Sequence, residues 1–352
     1  MEPLNIRDQY VLTLAVRKLV RTETFRGREV APIVPTNNRK FKMTVREADL
    51  PLGIGQFKAP NADTPVADIR GQLNPTTVTY ISAVDLEEMV LLEETDHLES
   101  ADALVRMNKI DEIIDMGRLL QLRNERLTEL MRWKAFQNAL TIEFQNGEAL
   151  TVDSYGQYGT GANSHIITDP GNNNYRNTDW NDVDNSRPLD DLHAWQDLIE
   201  NDAGFPAEHI WMSRQTFRNF QRSAQWAEFL TFVDRTFRLV TQEDISRLVD
   251  IPNFHIYEGS WKDNDGVQHK YLPDDYVLIT TAPTLDGIRI AETYDAPVVR
   301  YQGGRLQVQR NPGMNAETWV DPLKKQEFLR VSTARMVHLM FPEAIAYAYV
   351  GA

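Results

Sequence analysis

Apolar and polar residues alternate over residues 40–46 (Lys-Phe-Lys-Met-Thr-Val-Arg), the period-two signature of a strand with one face turned inward. A second run, Thr76-Thr77-Val78-Thr79-Tyr80-Ile81, is rich in β-branched and aromatic residues and predicts the returning strand of a hairpin. Between them lie 28 residues, 48–75, of which twelve are Pro, Gly, Asn or Asp. Residues 50–73 carry too few apolar side chains to bury a core, and loops of such length in compact domains are usually functional or disordered. The period then changes. Leu104, Met107, Ile110, Ile114, Gly117, Leu120, Leu127 and Met131 recur at helical spacing, and Asp111, Glu112, Arg118, Arg123, Glu125, Arg126 and Glu129 cover much of the remainder. Residues 101–140 therefore predict one helix of about 60 Å. A compact chain of this size is only about 50 Å across, so the subunit is expected to be flat and elongated. Ser100 is the expected N-cap, with Asp102 in the positive first turn. Gly117 costs about 1 kcal/mol relative to Ala in a helix interior and predicts a bend or a close contact.

The flanking pattern divides the rest. Residues 1–35 form an arm, with a short amphipathic helix over 10–20 and extended chain around Pro3, Pro32 and Pro35. Residues 141–144 and 149–153 read as strands on either side of an Asn146-Gly147 turn. Residues 154–187 are dense in Gly, Asn and Asp and mark an internal boundary. Beyond Pro188, helix and strand alternate: helix 189–201 capped by Gly204, strand 208–213, helices 215–223 and 242–249, strand 254–261, an Asp265-Gly266 turn and strand 276–281. This alternation predicts a mixed α/β lobe of about 100 residues. Residues 329–333 lead into 336–341, Pro342 breaks the run, and 344–350 make another strand. These late strands are expected to complete a sheet packed on the long helix, which makes the α/β lobe an insertion.

Composition narrows the chemistry. The 352 residues include no cysteine, which excludes disulfides, zinc–thiolate sites and thiol nucleophiles. The first apolar stretch contains Arg17 and Lys18 and reads as no secretory signal, and no run approaches the ~18 apolar residues of a membrane span. A net charge of −14 should repel nucleic acid over most of the surface, yet a wall that does not stick to its contents suits a container. No two of the seven histidines stand at helical metal-site spacing, and His209, His255 and His338 lie in apolar strand runs that favour hydrogen-bonded sheet histidines. Asp179, Asn181, Asp182 and Asp184 resemble the start of a calcium loop, but the sixth position is Asp184 instead of Gly and the twelfth is Asp190 instead of Glu. Gly156, Gly159 and Gly161 match no nucleotide fingerprint, and no Gly-x-Ser-x-Gly elbow is present. Asp190-Asp191 and Asp274-Asp275 read as a helix start and a turn. The sequence predicts no enzyme, no cofactor and no metal.

One further set of strings bears on family. Tyr257-Glu258-Gly259-Ser260-Trp261 leads through Asn264, Gly266 and Val267 to Tyr271-Leu272-Pro273-Asp274, then Tyr276-Val277-Leu278 and Gly287-Ile288-Arg289. Asp321-Pro322 and Glu327-Phe328 follow before the last strands. In this order, and with the arm, hairpin and long helix before them, they resemble a tailed-bacteriophage major capsid protein, most closely the lambda-type branch of the Hong Kong 97-like fold. The resemblance covers nearly the whole chain. It implies an α+β subunit with an N-terminal arm (1–35), an extended E-loop hairpin (36–84), and a P-domain (85–187) holding the spine helix (101–140). An inserted α/β A-domain (188–295) and the C-terminal strands of the P-domain (296–352) complete it.

The expected inter-subunit contacts are Lys40, Lys42, Arg46, Phe57, Lys58 and Arg70 of the E-loop, with Gly117, Arg118 and Arg123 on the spine helix. The implied partners are the protein itself, in hexamers and pentamers, with portal and scaffold proteins, and a decoration protein as a further candidate. No cleaved scaffolding segment precedes the arm, so the scaffold is expected to be a separate protein. Assembly in the host cytoplasm would give an icosahedral virion head that encloses double-stranded DNA without specific binding and without contact to a membrane. Two rival classes use other observations. An encapsulin-like compartment would hold cargo enzyme, and a soluble two-domain enzyme or binding protein would run as a compact monomer.

Overall fold

A single helix, Ala103–Phe136, is the axis of the subunit, and its 34 residues rise about 51 Å. The structure, a computed structural model, describes residues 7–17, 25–45, 77–93, 95–100, 102–143, 149–176, 178–232, 246, 249–263, 265–285, 287–302, 305–308, 312–321 and 326–351. Asp102, not Ser100, caps the helix: its carboxylate accepts from Leu104 N at 2.8 Å, while the Ser100 hydroxyl accepts from Asp102 N at 3.2 Å. The helix stops short of residue 140 because Asn138 adopts φ +50°, a left-handed conformation that Asn tolerates better than most residues.

The long strand Gln326–Leu339 lies against this helix and is the centre of the first sheet. Val84–Leu92 pairs with it on one side. Asn315–Asp321 and then Ala291–Ala296 pair with it on the other, all antiparallel. The arm's Ile33–Pro35 adds to Ala291–Ala296 in parallel. Residues 329–333 and 336–341, expected as two runs, are one strand up to Leu339. Arg335 in its middle is buried, and its ion pairs let a charged residue stay within a core strand.

The final strand, Ile345–Tyr349, corrects a second expectation. It does not join the sheet on the long helix. After the turn at Pro342 it enters a second sheet ordered Ile166–Ile167, Ile345–Tyr349, Tyr276–Thr280, His209–Met212 and Asn253–Ile256. The helix Pro188–Ala203 packs against this sheet and ends at Gly204 (φ +68°), as its sequence predicts. Ser213 caps the next helix, Arg214–Arg222, by accepting from Thr216 N. Most of the predicted helix 242–249 lies outside the described residues. The predicted strand 254–261 divides into Asn253–Ile256 in this sheet and Ser260–Lys262, which pairs with Gln268–Lys270 in a hairpin.

Two cores result. The larger joins Trp133 and Phe136 at the end of the long helix to Trp211, Leu278 and Tyr257 of the second lobe. The smaller holds Leu12 and Val16 of the arm helix Gln9–Arg17 against Ile110, Ile113 and Ile114, with Leu329 and Val331 of the long strand. Among the described residues no helix is long and apolar enough to cross a membrane.

Candidate assembly surfaces

The hairpin forms as its alternation predicts, with Lys40–Val45 antiparallel to Thr77–Ser82 and Lys40 opposite Ser82. Its base is fixed to the body. The Arg39 guanidinium grips Asp85 with both amino nitrogens (2.8 and 2.7 Å) and donates to Pro297 O at 3.0 Å. The Phe41 ring stacks on Tyr294, centroids 4.7 Å apart. Lys40 is exposed at the start of the first strand, and Lys42 lies within that strand. Arg46, Phe57, Lys58 and Arg70 lie outside the described residues.

The three helix residues singled out in the sequence sit on different neighbours. Gly117 is a close contact: a Cβ there would stand 2.6 Å from a methyl group of Val16, so the absence of a side chain lets the arm helix reach the long helix. Arg118 pairs with Asp115 one turn earlier. Arg123 pairs with Glu88 of the adjoining strand at 2.7 Å. The structure does not bring these three together with Lys40 into one cluster.

A buried polar network went unread in the sequence. Ile110, Ile113, Ile114, Gly117 and Leu120 continue one buried stripe, while Leu104, Met107 and Leu127 are exposed. The stripe then passes to Gln121, Asn124, Glu125, Thr128, Glu129 and Arg132, all buried. Glu125 and Glu129, expected among the solvent-facing charges, are instead the anchors of the helix. Glu129 Oε1 accepts from Gly27 N (2.7 Å) and Trp133 Nε1 (2.8 Å), and from the Tyr257 hydroxyl (3.1 Å). Its Oε2 accepts from Arg132 at 3.0 Å. One carboxylate thereby ties the arm, the long helix and the second lobe. Burial, together with the nearby Glu129 charge, pushes the Tyr257 hydroxyl well above its ordinary range, so it remains a donor.

Next along the helix, Arg335 donates to Glu125 (2.8 Å) and Thr128 (3.0 Å), with Asp295 at 3.5 Å. Burial raises the Asp295 carboxyl, against the pull of Arg335. Arg132 donates to the Thr293 hydroxyl, which donates onward to Ala31 O, both at 2.9 Å. The signal for all this was in the spacing. Positions 121, 124, 125, 128, 129 and 132 keep the period of the apolar stripe although their residues are polar, which marks a face that stays buried.

In the second lobe His209 Nδ1 lies 3.0 Å from His255 Nε2, the rings nearly coplanar, and His255 stacks on Trp211 with centroids 3.9 Å apart. Burial, and then the neighbouring His209, lowers His255 to about 4. One ring donates and the other accepts, as expected of sheet histidines that satisfy each other. Among the described residues no group of three or more His, Asp or Glu is placed to hold a metal ion.

The fold is shared with proteins of little sequence similarity. The chain is similar to a phage-related protein from Bordetella bronchiseptica RB50, at 12% identity and TM-score 0.57, covering 97% of this chain and 96% of that one. It is equally similar in structure to a protein assigned as the capsid protein of a prophage in E. coli CFT073, at 13% identity and TM-score 0.57, covering 99% of each. At these identities the likeness speaks for fold, which is α+β and Hong Kong 97-like. No curated protein matches the sequence significantly. The family model described as phage major capsid protein E matches residues 78–350, from the hairpin's return strand to the last strand of the second sheet. The chain belongs to the phage major capsid protein E family.

Proposed function

We propose that this major capsid protein closes its shell by reach. Each subunit lays its E-loop hairpin across a neighbour, while the spine helix and first sheet form the wall. The second lobes meet around the five- and six-fold axes. The observation that carries this reading is the anchored hairpin: Arg39 and Phe41 fix its base to the subunit's own sheet, and among the described residues its two strands pair with each other and with no third strand. A firmly based arm positions its far end for a neighbour at low entropic cost. Lys40, Lys42, Arg46, Phe57, Lys58 and Arg70 are the contacts this reading assigns to the hairpin. Many modest contacts of this kind add up cooperatively once subunits are held in place. The shell encloses double-stranded DNA, meets portal and scaffold proteins and a decoration protein, and performs no catalytic step.

Replacing residues 50–73 with an Asn-Gly turn tests the clasp. The strands Lys40–Val45 and Thr77–Ser82 keep their register, so the variant should retain its circular dichroism and melting temperature. Co-expressed with scaffold, it should sediment as small species, whereas the parent forms megadalton particles. A variant that unfolds shows that the loop serves its own subunit's core. Normal shells from the variant show that the loop is not the clasp.

A further inference from the structure

The helix Arg214–Arg222 buries Thr216, Phe217 and Phe220 in the second lobe and leaves Arg214, Arg218 and Arg222 exposed. Four residues apart, each about 6 Å along the axis from the next, the arginines form one row. Among the described residues none of the three guanidinium groups is paired with a carboxylate; at Arg214 only the backbone N–H meets one, donating to Glu258 at 2.5 Å. Arg214 is also the first residue of its helix, where the positive end of the backbone dipole disfavours a cation. The helix Pro188–Ala203 shows the reverse. Asp197 and Glu200 are exposed and, among the described residues, paired with no cation. Glu200 stands in the last turn, where the negative end of the dipole disfavours an anion. Trp180 holds the two helices side by side, its ring stacked on Trp195 (5.9 Å) and edge-on to Phe220 (5.6 Å). Their own helices give Arg214 and Glu200 no reason to be charged as they are.

We propose that the arginine row of one copy docks on the acidic end of the helix Pro188–Ala203 of a second copy. The inference rests on the shell reading above and adds to it the charges by which one lobe recognises the next. Residues 188–295 hold 19 acidic and 9 basic residues, so most of the chain's excess of −14 lies there and like lobes repel. Lobes that gather around one axis need opposite charges at their contact, and each copy carries both halves of the pair. The start of one helix and the end of the other add dipoles of the matching signs. A contact between two different patches is heterologous, and it gives a closed ring when its rotation closes. Nucleic acid is the competing polyanion, and the acidic excess around the row opposes it.

A charge swap tests the pairing. Three variants are each co-expressed with scaffold and sedimented beside the parent. Arg214→Glu/Arg218→Glu and Asp197→Arg/Glu200→Arg each set like charges across the contact, and each should lower particle yield at least about tenfold. The chain with all four substitutions reverses both sides together and should return to the parent's yield. The new charges suit the dipoles of their helices, so circular dichroism and melting temperature should hold in all three. Loss of fold in the variants would show that these charges serve the chain's own lobe, and would overturn the inference. Parent yield from either reversed pair overturns it while the shell reading stands. So does a loss that the fourfold chain leaves unrepaired, since the two patches then serve different partners. Arginine-reversed particles of normal yield that have lost their DNA assign the row to nucleic acid and overturn the inference too. If the parent itself forms no particles, the shell reading fails and this inference fails with it.

Discussion

Glu129 shows how far one residue organises this subunit. Moving a carboxylate from water into the interior costs several kcal/mol, and four donors from three parts of the chain offset that cost here. Glu129→Leu leaves those donors without their acceptor and the Arg132 charge unbalanced. Urea unfolding of the free subunit should show a loss of roughly 3–5 kcal/mol. A loss under about 1 kcal/mol would mean that water or a rearranged side chain replaces the carboxylate. His255 should set part of the acid response. Its folded pKa of about 4 lies below the ordinary value of about 6.5, so the unfolded chain takes up a proton that the native state refuses. Stability should therefore fall as pH drops from about 6.5 to 4, and His255→Gln should flatten that limb in urea melts. Asp295 acts with the opposite sign. Its carboxyl is raised by burial, so its contribution improves as pH falls toward its folded pKa. An acid limb unchanged by His255→Gln would assign the response to groups other than His255.

At the scale of elements, the arm helix is placed by two fitted contacts. Thr13 plugs the free edge of Asn315–Asp321: its hydroxyl donates to Ala316 O (3.1 Å) and accepts from Ala316 N (3.0 Å). That closes an edge which could otherwise pair with another chain. Val16 then fills the space left by Gly117. Gly117→Ala should favour the spine helix by about 1 kcal/mol in intrinsic propensity while pushing the arm helix off it. Limited trypsin digestion at Arg17 should be faster in Gly117→Ala and return toward the parent rate in Gly117→Ala/Val16→Ala. Absence of that rescue would show that the contact does not hold the arm. The elements themselves were legible where one period governed: the hairpin strands, the helix ending at Gly204 and the apolar half of the spine helix. They were not where burial and polarity part company. Glu125 and Glu129 look like surface charges until Arg335, 210 residues from Glu125, supplies the reason one of them is inside. The same pairing hid the continuity of Gln326–Leu339, because a strand's pattern cannot say that an arginine in it will find a buried partner.

For the whole molecule, the order of parts identified the family, since arm, hairpin, spine and inserted lobe occur in one sequence over most of the chain. What the order could not supply was strand partnership. Ile345–Tyr349 has the same apolar texture whether it closes the first sheet or, as found, pairs with Tyr276–Thr280 and binds the end of the chain to the second lobe. Charge is the other molecular-scale property, and it bears on what the shell does with its contents. A net charge of −14 sets most of the surface against phosphate, so attraction through counterion release should be weak. Free subunits should leave double-stranded DNA unshifted in gel mobility even near ~50 mM salt, where such attraction is strongest. Binding that weakens steeply with added salt would reveal a basic inner patch that the net charge conceals, and would contradict the picture of a wall that confines DNA without gripping it. The outcome separates two ways of filling a head. A shell that binds DNA can recruit it during assembly. One that repels it must be filled by work done from outside, with the wall resisting pressure through its subunit contacts alone.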